Sequence, residues 1–202
     1  WRSVIRIAAL LHDVGHLPFS HAAEKELLPP GWDHERMTAE FIRNSEISEI
    51  LRSHRPPINI EDVVDLAWQP SKRAKHSGEK LPDVWSTLLN EVITGDSFGS
   101  DRVDYLLRDA YHAGVAYGRF DLDRLIPGLT IELDEQEDPV LTLEEGAIHA
   151  AEALQLARYF MYTQVYMHGL RRVYDEHLKD FLAAWLEGGK FSEDWRKMLA
   201  MD

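Results

Sequence analysis

A chain of 202 residues that is 45% hydrophobic is long enough to bury the core of one domain and too apolar to be disordered. Its net charge of −13 gives no field that would attract a duplex nucleic acid, so a phosphate-bearing partner is expected to be small and held by local cations or a metal. The absence of cysteine excludes disulfides and thiolate chemistry. With no signal-peptide pattern and no apolar run near the roughly 18 residues of a membrane span, the expected setting is cytoplasmic and away from any membrane.

Val4, Ile5, Ile7, Ala8, Leu10 and Leu11 recur at helical spacing, and Gly15 with Pro18 end that helix where histidines collect. A second helix is expected from about His34 to Arg52, with Met37, Phe41 and Ile42 on its apolar side. A proline turn and a short helix begun by Glu61 and Asp62 follow. Gln69 to Asp83 has the composition of an exposed loop, and its basic run Lys72, Arg73, Lys75 and Lys80 reads as solvated. "VWSTLLNEVI" from Val84 is a helix, "TGDSFGS" a loop, and "SDRVDYLLRDAYHAGV" another helix with Ser100 as its cap. Leu129–Leu133 and Pro139–Leu143 alternate as strands around the acidic turn "DEQED", which predicts a hairpin. Glu144 to about Leu186 carries one or two amphipathic helices. No repeat or linker is visible, so the expectation is one domain over 1–202, all-α, a helical bundle with one small β-hairpin.

Two stretches concentrate ionisable groups. In "LLHDVGHLPFSHAAE", adjacent His12 and Asp13 close an apolar helix, and His16, His21 and Glu24 follow within a few turns. Imidazole plus carboxylate suits Mn, Fe, Ni or Zn, and Mg less well. A His-Asp dipeptide alone reads as a core histidine beside a capping aspartate; the further histidines argue for more. In "SDRVDYLLRDAYHAGV", Asp101, Tyr105 and Asp109 are spaced i, i+4, i+8 with Arg102 beside them, opposite an apolar stripe of Val103, Leu106, Leu107 and Ala110. Alone, that pattern is a surface helix with solvated charges. His54, His76, His149, His168 and His177 read as surface or boundary residues, and His112 as a packed loop histidine.

Together with "WDHE" at Trp32–Glu35, "DLDRLI" and "LARYFMYTQVYMHGLRRVY", these stretches resemble the HD-domain metal-dependent phosphohydrolases. More narrowly they resemble the deoxynucleoside triphosphate triphosphohydrolase branch that includes the SAM and HD domain-containing protein. The resemblance implies one divalent metal ion held by His12, Asp13 and Asp101. The family's further histidine ligand, on an upstream helix, has no counterpart before His12, and a start inside a helical pattern points to a longer chain. It also implies that His16 and His34 line the active site and that His21 is a general acid oriented by Glu24, an i, i+3 pair if helical. Arg102 would contact the triphosphate, Tyr105 pack on the sugar, Asp109 accept from the 3′-hydroxyl, and Tyr174 belong to the substrate pocket. The implied reaction converts a deoxynucleoside triphosphate (dNTP) to deoxynucleoside and tripolyphosphate; a homo-oligomer is expected, and a nucleotide activator is a candidate partner whose requirement the sequence leaves open. The alternatives are a phosphohydrolase acting on nucleoside monophosphates or other phosphoesters, or a catalytically silent nucleotide-binding module.

Overall fold

The computed structural model describes residues 1–17, 21–76, 78–192 and 194–199, with Ala23 and Lys25 described as backbone. Pro18, Phe19 and Ser20, including the expected helix stop at Pro18, lie outside the described residues. The chain forms two compact units, Trp1–Leu81 with Gly169–Asp202, and Pro82–His168. The boundary at Leu81 falls within the stretch Gln69–Asp83 of loop-like composition.

In the first unit the helices are α1 (Arg2–Leu11), α2 (His21–Leu27), α3 (His34–Asn44), α4 (Glu46–Ser53), α5 (Ile60–Ala67) and α6 (Pro70–Arg73). The second unit adds α7 (Val84–Thr94), α8 (Ser100–Ala113), α9 (Leu122–Leu125), the strands β1 (Leu129–Leu133) and β2 (Pro139–Leu143), and α10 (Ile148–Met161). The chain then returns to the first unit with α11 (Gly169–Trp185) and α12 (Trp195–Leu199). The architecture is all-α with one hairpin, as the sequence pattern predicts.

Local chemistry explains the element boundaries. Asp33 Oδ1 accepts the Arg36 amide at 2.8 Å and starts α3. The single helix expected from His34 to Arg52 is in fact two. The Ser45 hydroxyl donates to the Phe41 carbonyl at 2.5 Å and also accepts the Ile47 amide, so it closes α3 and caps α4. The expected loop from Gln69 contains α6, opened by Pro70 at its first position. Gly99, not Ser100, is the N-cap of α8, and α8 ends on Gly114 at φ 68°. The hairpin pairs Leu129 with Leu143 and Leu133 with Pro139, and Asp134 Oδ1 accepts the Gln136 and Asp138 amides across its turn.

α1 packs on α5, α3 on α4 and α5, and α11 on α2. One cluster of the first unit joins Leu27, Met37 and Phe41 to Leu182, Phe191 and Trp195, so the returning segment completes the core begun by α2 and α3. The Phe191 amide donates to the Leu27 carbonyl at 2.9 Å, and Lys179 Nζ meets Glu26 Oε1 at 2.8 Å. In the second unit Leu106, Ala110, Leu125, Leu154 and Met161 bury α8 against α9 and α10.

One close approach positions the His-Asp turn. Thr38, fully buried on α3, donates its hydroxyl to the His12 carbonyl at 2.9 Å and accepts the Gly15 amide at 3.0 Å. A Cβ on Gly15 would stand 2.2 Å from the His34 carbonyl oxygen and 2.3 Å from the Thr38 amide nitrogen, both backbone atoms. Gly15 is therefore required by contact. Gly15→Ala is expected to cost about 1–3 kcal/mol through overpacking, read as a lower urea midpoint; an unchanged midpoint would show that the turn can lift away freely.

Candidate functional site

At the end of α1, His12 Nδ1 lies 2.8 Å from the Ala9 carbonyl oxygen. A carbonyl only accepts, so Nδ1 carries the proton and Nε2 presents its lone pair. That Nε2 is 3.4 Å from Asp13 Oδ1, while His16 Nε2 approaches the same carboxylate oxygen at 3.5 Å. Two donor atoms bound to one ion at about 2.1 Å each stand roughly 3–4 Å apart, and a ligating histidine normally gives its other N–H to a backbone carbonyl. The His12–Asp13 pair fits a divalent metal on both counts.

Beside this pair, Glu24 joins the predicted residues His21 and His34. Its Oε2 accepts from His21 Nδ1 at 3.0 Å, the i, i+3 approach along α2, and its Oε1 accepts both the His34 backbone amide at 3.0 Å and His34 Nδ1 at 2.8 Å. The His16 and His34 rings stack at 4.0 Å and 10°, and the His21 ring meets His16 edge-on at 4.7 Å. His16, His21, Glu24 and His34 thus present ligand atoms within 4.8 Å of one another.

This packing sets the protonation states. Burial works to raise the Glu24 carboxyl, but the hydrogen bonds from His21, the His34 ring and the His34 amide overcome it and hold it well below the usual carboxylate range. The hydrogen bond to Glu24 raises His21 against a smaller opposing effect of burial. Burial and the facing His34 ring lower His16 to about 4, against the pull of Asp13. One neutral and one readily protonated imidazole therefore sit edge to face. His21 is the accessible one, with its side chain 70% exposed.

Two residues that composition assigns to solvent are drawn into this region. Lys72 Nζ donates to Glu35 Oε1, and Arg73, 2% exposed, donates to Asp65 Oδ1 at 2.5 Å. The expectation of a solvated basic run holds for exposed Lys75 and Lys80 alone, because acids on α3 and α5 claim the other two. His76, expected at a surface without a partner, lies 3.6 Å from Asp33 Oδ2. Glu35 is 6% exposed and holds the Gln69 amide at 2.9 Å as well as Lys72. Its place in "WDHE" marks it, but nothing in the spacing reveals its partners.

In the second unit, α8 carries Arg102, Tyr105 and Asp109 on one half-buried face. Asp101 lies in its first turn. Arg102 donates to the Asp96 backbone carbonyl and approaches Asp96 Oδ1 at 3.2 Å; its Nε is buried and has no acceptor among the described residues. Burial and the neighbouring Tyr162 push the Tyr105 phenol up to about 12. Asp109 Oδ2 accepts the Tyr166 hydroxyl at 2.7 Å, and burial together with that bond raises Tyr166. Tyr162 and Tyr166 span a π-helical turn after α10, a local irregularity frequent at functional sites. The i, i+4 tyrosines of "YTQVY" were the available signal for them. Tyr174 sits on α11 in the first unit and is 65% exposed.

Residues 2–93 match the HD domain, and residues 120–202 match the HD associated region. The chain belongs to the HD-domain phosphohydrolase family. Among relatives, it is 34% identical to the protein YwfO of Bacillus subtilis over 85% of this chain and 34% of that one. It is 26% identical to the deoxynucleoside triphosphate triphosphohydrolase SAMHD1 of Bos taurus over 89% of this chain and 33% of that one. A crystal structure of a hypothetical protein from Aquifex aeolicus superposes with TM-score 0.71 and 36% identity, covering 98% of this chain and 51% of the other. The HD-domain chain thus spans about a third of the length of these curated relatives. HD domains bind divalent metals, in keeping with the donor pair His12 and Asp13. No helix among the described residues is long and apolar enough to cross a membrane.

The Glu24 bonds have a measurable sign. In wild type His21 titrates above its ordinary value of 6.5, so its contribution to stability is complete below that pH and is lost as pH rises through the folded value. Glu24, depressed, contributes above its ordinary value of 4.5, and that contribution is lost as pH falls towards its lower folded value. Glu24→Gln is expected to return the His21 titration towards 6.5, followed by ring-proton NMR, and to flatten the acid limb of the stability curve. A His21 titration unmoved by the substitution would show that another group sets it.

Proposed function

We propose that this HD domain hydrolyses deoxynucleoside triphosphates to deoxynucleoside and tripolyphosphate, with one divalent metal ion held by His12, Asp13 and Asp101. The carrying observation is the Glu24 carboxylate bonded to His21 Nδ1 at 3.0 Å, which supports a protonated imidazole at an accessible position. The bound metal would polarise a phosphoryl oxygen and lower the pKa of an attacking water. In the reaction the water oxygen bonds to the α-phosphorus, the bond from phosphorus to the 5′ oxygen breaks, and that oxygen needs a proton as it leaves. His21 supplies it from Nε2, because Nδ1 is engaged with Glu24. His34 shares Glu24 and stacks on His16, so the two rings brace the acid's partner from the other side.

On the second unit, Arg102 presents a guanidinium suited to two phosphate oxygens at once. The Tyr105 ring packs on the deoxyribose, where a 2′-hydroxyl would crowd it. Asp109 gives Oδ2 to Tyr166 and keeps Oδ1 for the 3′-hydroxyl. Tyr174 is assigned to the substrate pocket by family resemblance. A homo-oligomer and an activating nucleotide complete the reading. The apolar side chains Leu170, Val173, Phe181 and Trp185, exposed along α11, support association with a second copy.

Elemental analysis and product analysis of the full-length protein test the reading. Asp101→Ala should remove bound metal as completely as His12→Ala, and full metal retention by Asp101→Ala would break the ligand set. His21→Asn should retain metal and lose about 10²–10⁴-fold in rate. Tyr105→Ala and Asp109→Ala should depress dNTP turnover more than turnover of an aryl phosphodiester; equal losses on both would point to a general phosphohydrolase.

A further inference from the structure

The hairpin of the second unit takes no part in the proposed reaction, and its outer edge is open. The Asp134 amide donates to the Asp138 carbonyl and the Glu144 amide to the Gly128 carbonyl, each at 2.9 Å. Those bonds fix the phase of the ladder. In the register that pairs Leu129 with Leu143 and Leu133 with Pro139, Thr130 and Glu132 turn their backbone groups towards β2, whereas Ile131 and Leu133 turn theirs away. Among the described residues, none bonds to the amide or carbonyl of Ile131 or Leu133. Their side chains share one face of the strand and are 52% and 67% exposed. The other edge is guarded, because β2 begins on Pro139, which has no N–H, and packs against α7.

An open edge with exposed apolar side chains is usually protected by lysine or proline, and β1 contains neither. Instead, from Leu129 to Glu145 there are seven acids and no lysine or arginine. Among the described residues none of those acids pairs with a cation. This field of one sign decides the occupant. Pairing β1 with β1 of a second copy would bring two acidic hairpins edge to edge, and their like charges oppose it. A strand of positive charge is attracted by the same acids. We infer that the β1 edge accepts an extended, basic segment of a partner protein as an added strand. The segment's backbone pairs with Ile131 and Leu133, and its alternate apolar side chains cover theirs. Its lysines or arginines fall on the other face, opposite Glu132. Affinity then comes from main-chain hydrogen bonds, and selectivity from charge.

The test uses the full-length protein and a dye-labelled, end-capped peptide that alternates lysine with valine, with binding followed by fluorescence anisotropy. Amide hydrogen exchange of the protein is measured with and without the peptide. The peptide should bind, bind less tightly as salt is raised, and slow exchange at Ile131 and Leu133, whose N–H groups its carbonyls accept. The same peptide with glutamate in place of lysine should not bind. Ile131→Pro removes an N–H that the hairpin ladder does not use, so the fold should stand while affinity falls about tenfold or more, as for a lost hydrogen bond and its strand contact. Ile131→Lys keeps the backbone intact and sets a cation against the peptide, and should weaken binding likewise. Binding without slower exchange at Ile131 and Leu133 would reveal plain attraction to an acidic surface and overturn the inference. So would a lysine–valine peptide that fails to bind, or one that binds both Ile131 variants as tightly as the wild type.

Discussion

A largely buried carboxylate must be satisfied on both oxygens or it will not stay ionised, and Glu24 meets that demand with two imidazoles and one backbone amide. The consequences spread outward. His34 is fixed at the first turn of α3, its ring makes a floor for His16, and His16 in turn is held neutral next to Asp13. His21 stays exposed and positively biased on the other side of the same carboxylate. One acidic side chain thereby gives three chemically identical imidazoles different electrostatic environments.

The same helix α3 supports the His-Asp turn by a second device, a contact rather than a charge. Thr38 satisfies the carbonyl of His12 and the amide of Gly15 at once, and the absent side chain at Gly15 lets the turn lie against the α3 backbone. Glu35 performs an analogous task for the segment after α5. By binding Lys72 and the Gln69 amide it converts a stretch of loop-like composition into an ordered wall. In the second unit the corresponding partnership is Asp109 with Tyr166, which ties α8 to the π-helical turn after α10. The polar network of each unit is specific because its donors have defined acceptors in a largely buried setting.

Individual residues show what was legible in advance. The His21–Glu24 pair could be read because i, i+3 neighbours on one helix meet whatever the rest of the chain does. The hairpin was legible because two alternating runs flank a short acidic turn. The division between α3 and α4 was not, since Met37, Phe41 and Ile42 keep one apolar period and the break depends on how a single serine spends its hydroxyl. Arg73 shows the same limit from the other side. Its neighbours make it look solvated, yet Asp65 and Glu79 neutralise it in the interior.

By itself the sequence determined the helical class, the hairpin, the position of the His-Asp turn at a helix end, and the motifs that place the chain in the HD-domain family. These follow from local periodicity, capping chemistry and the order of residue types, all written in short-range spacing. Only the tertiary structure decided that His34 shares Glu24, that Lys72 is moored by Glu35, that Asp109 faces Tyr166, and that the segment from Gly169 returns to complete the first unit. Those partners stand ten to more than a hundred residues apart. The cost of burying charge without a partner selects such pairs, and spacing carries no record of which distant residue will be the partner.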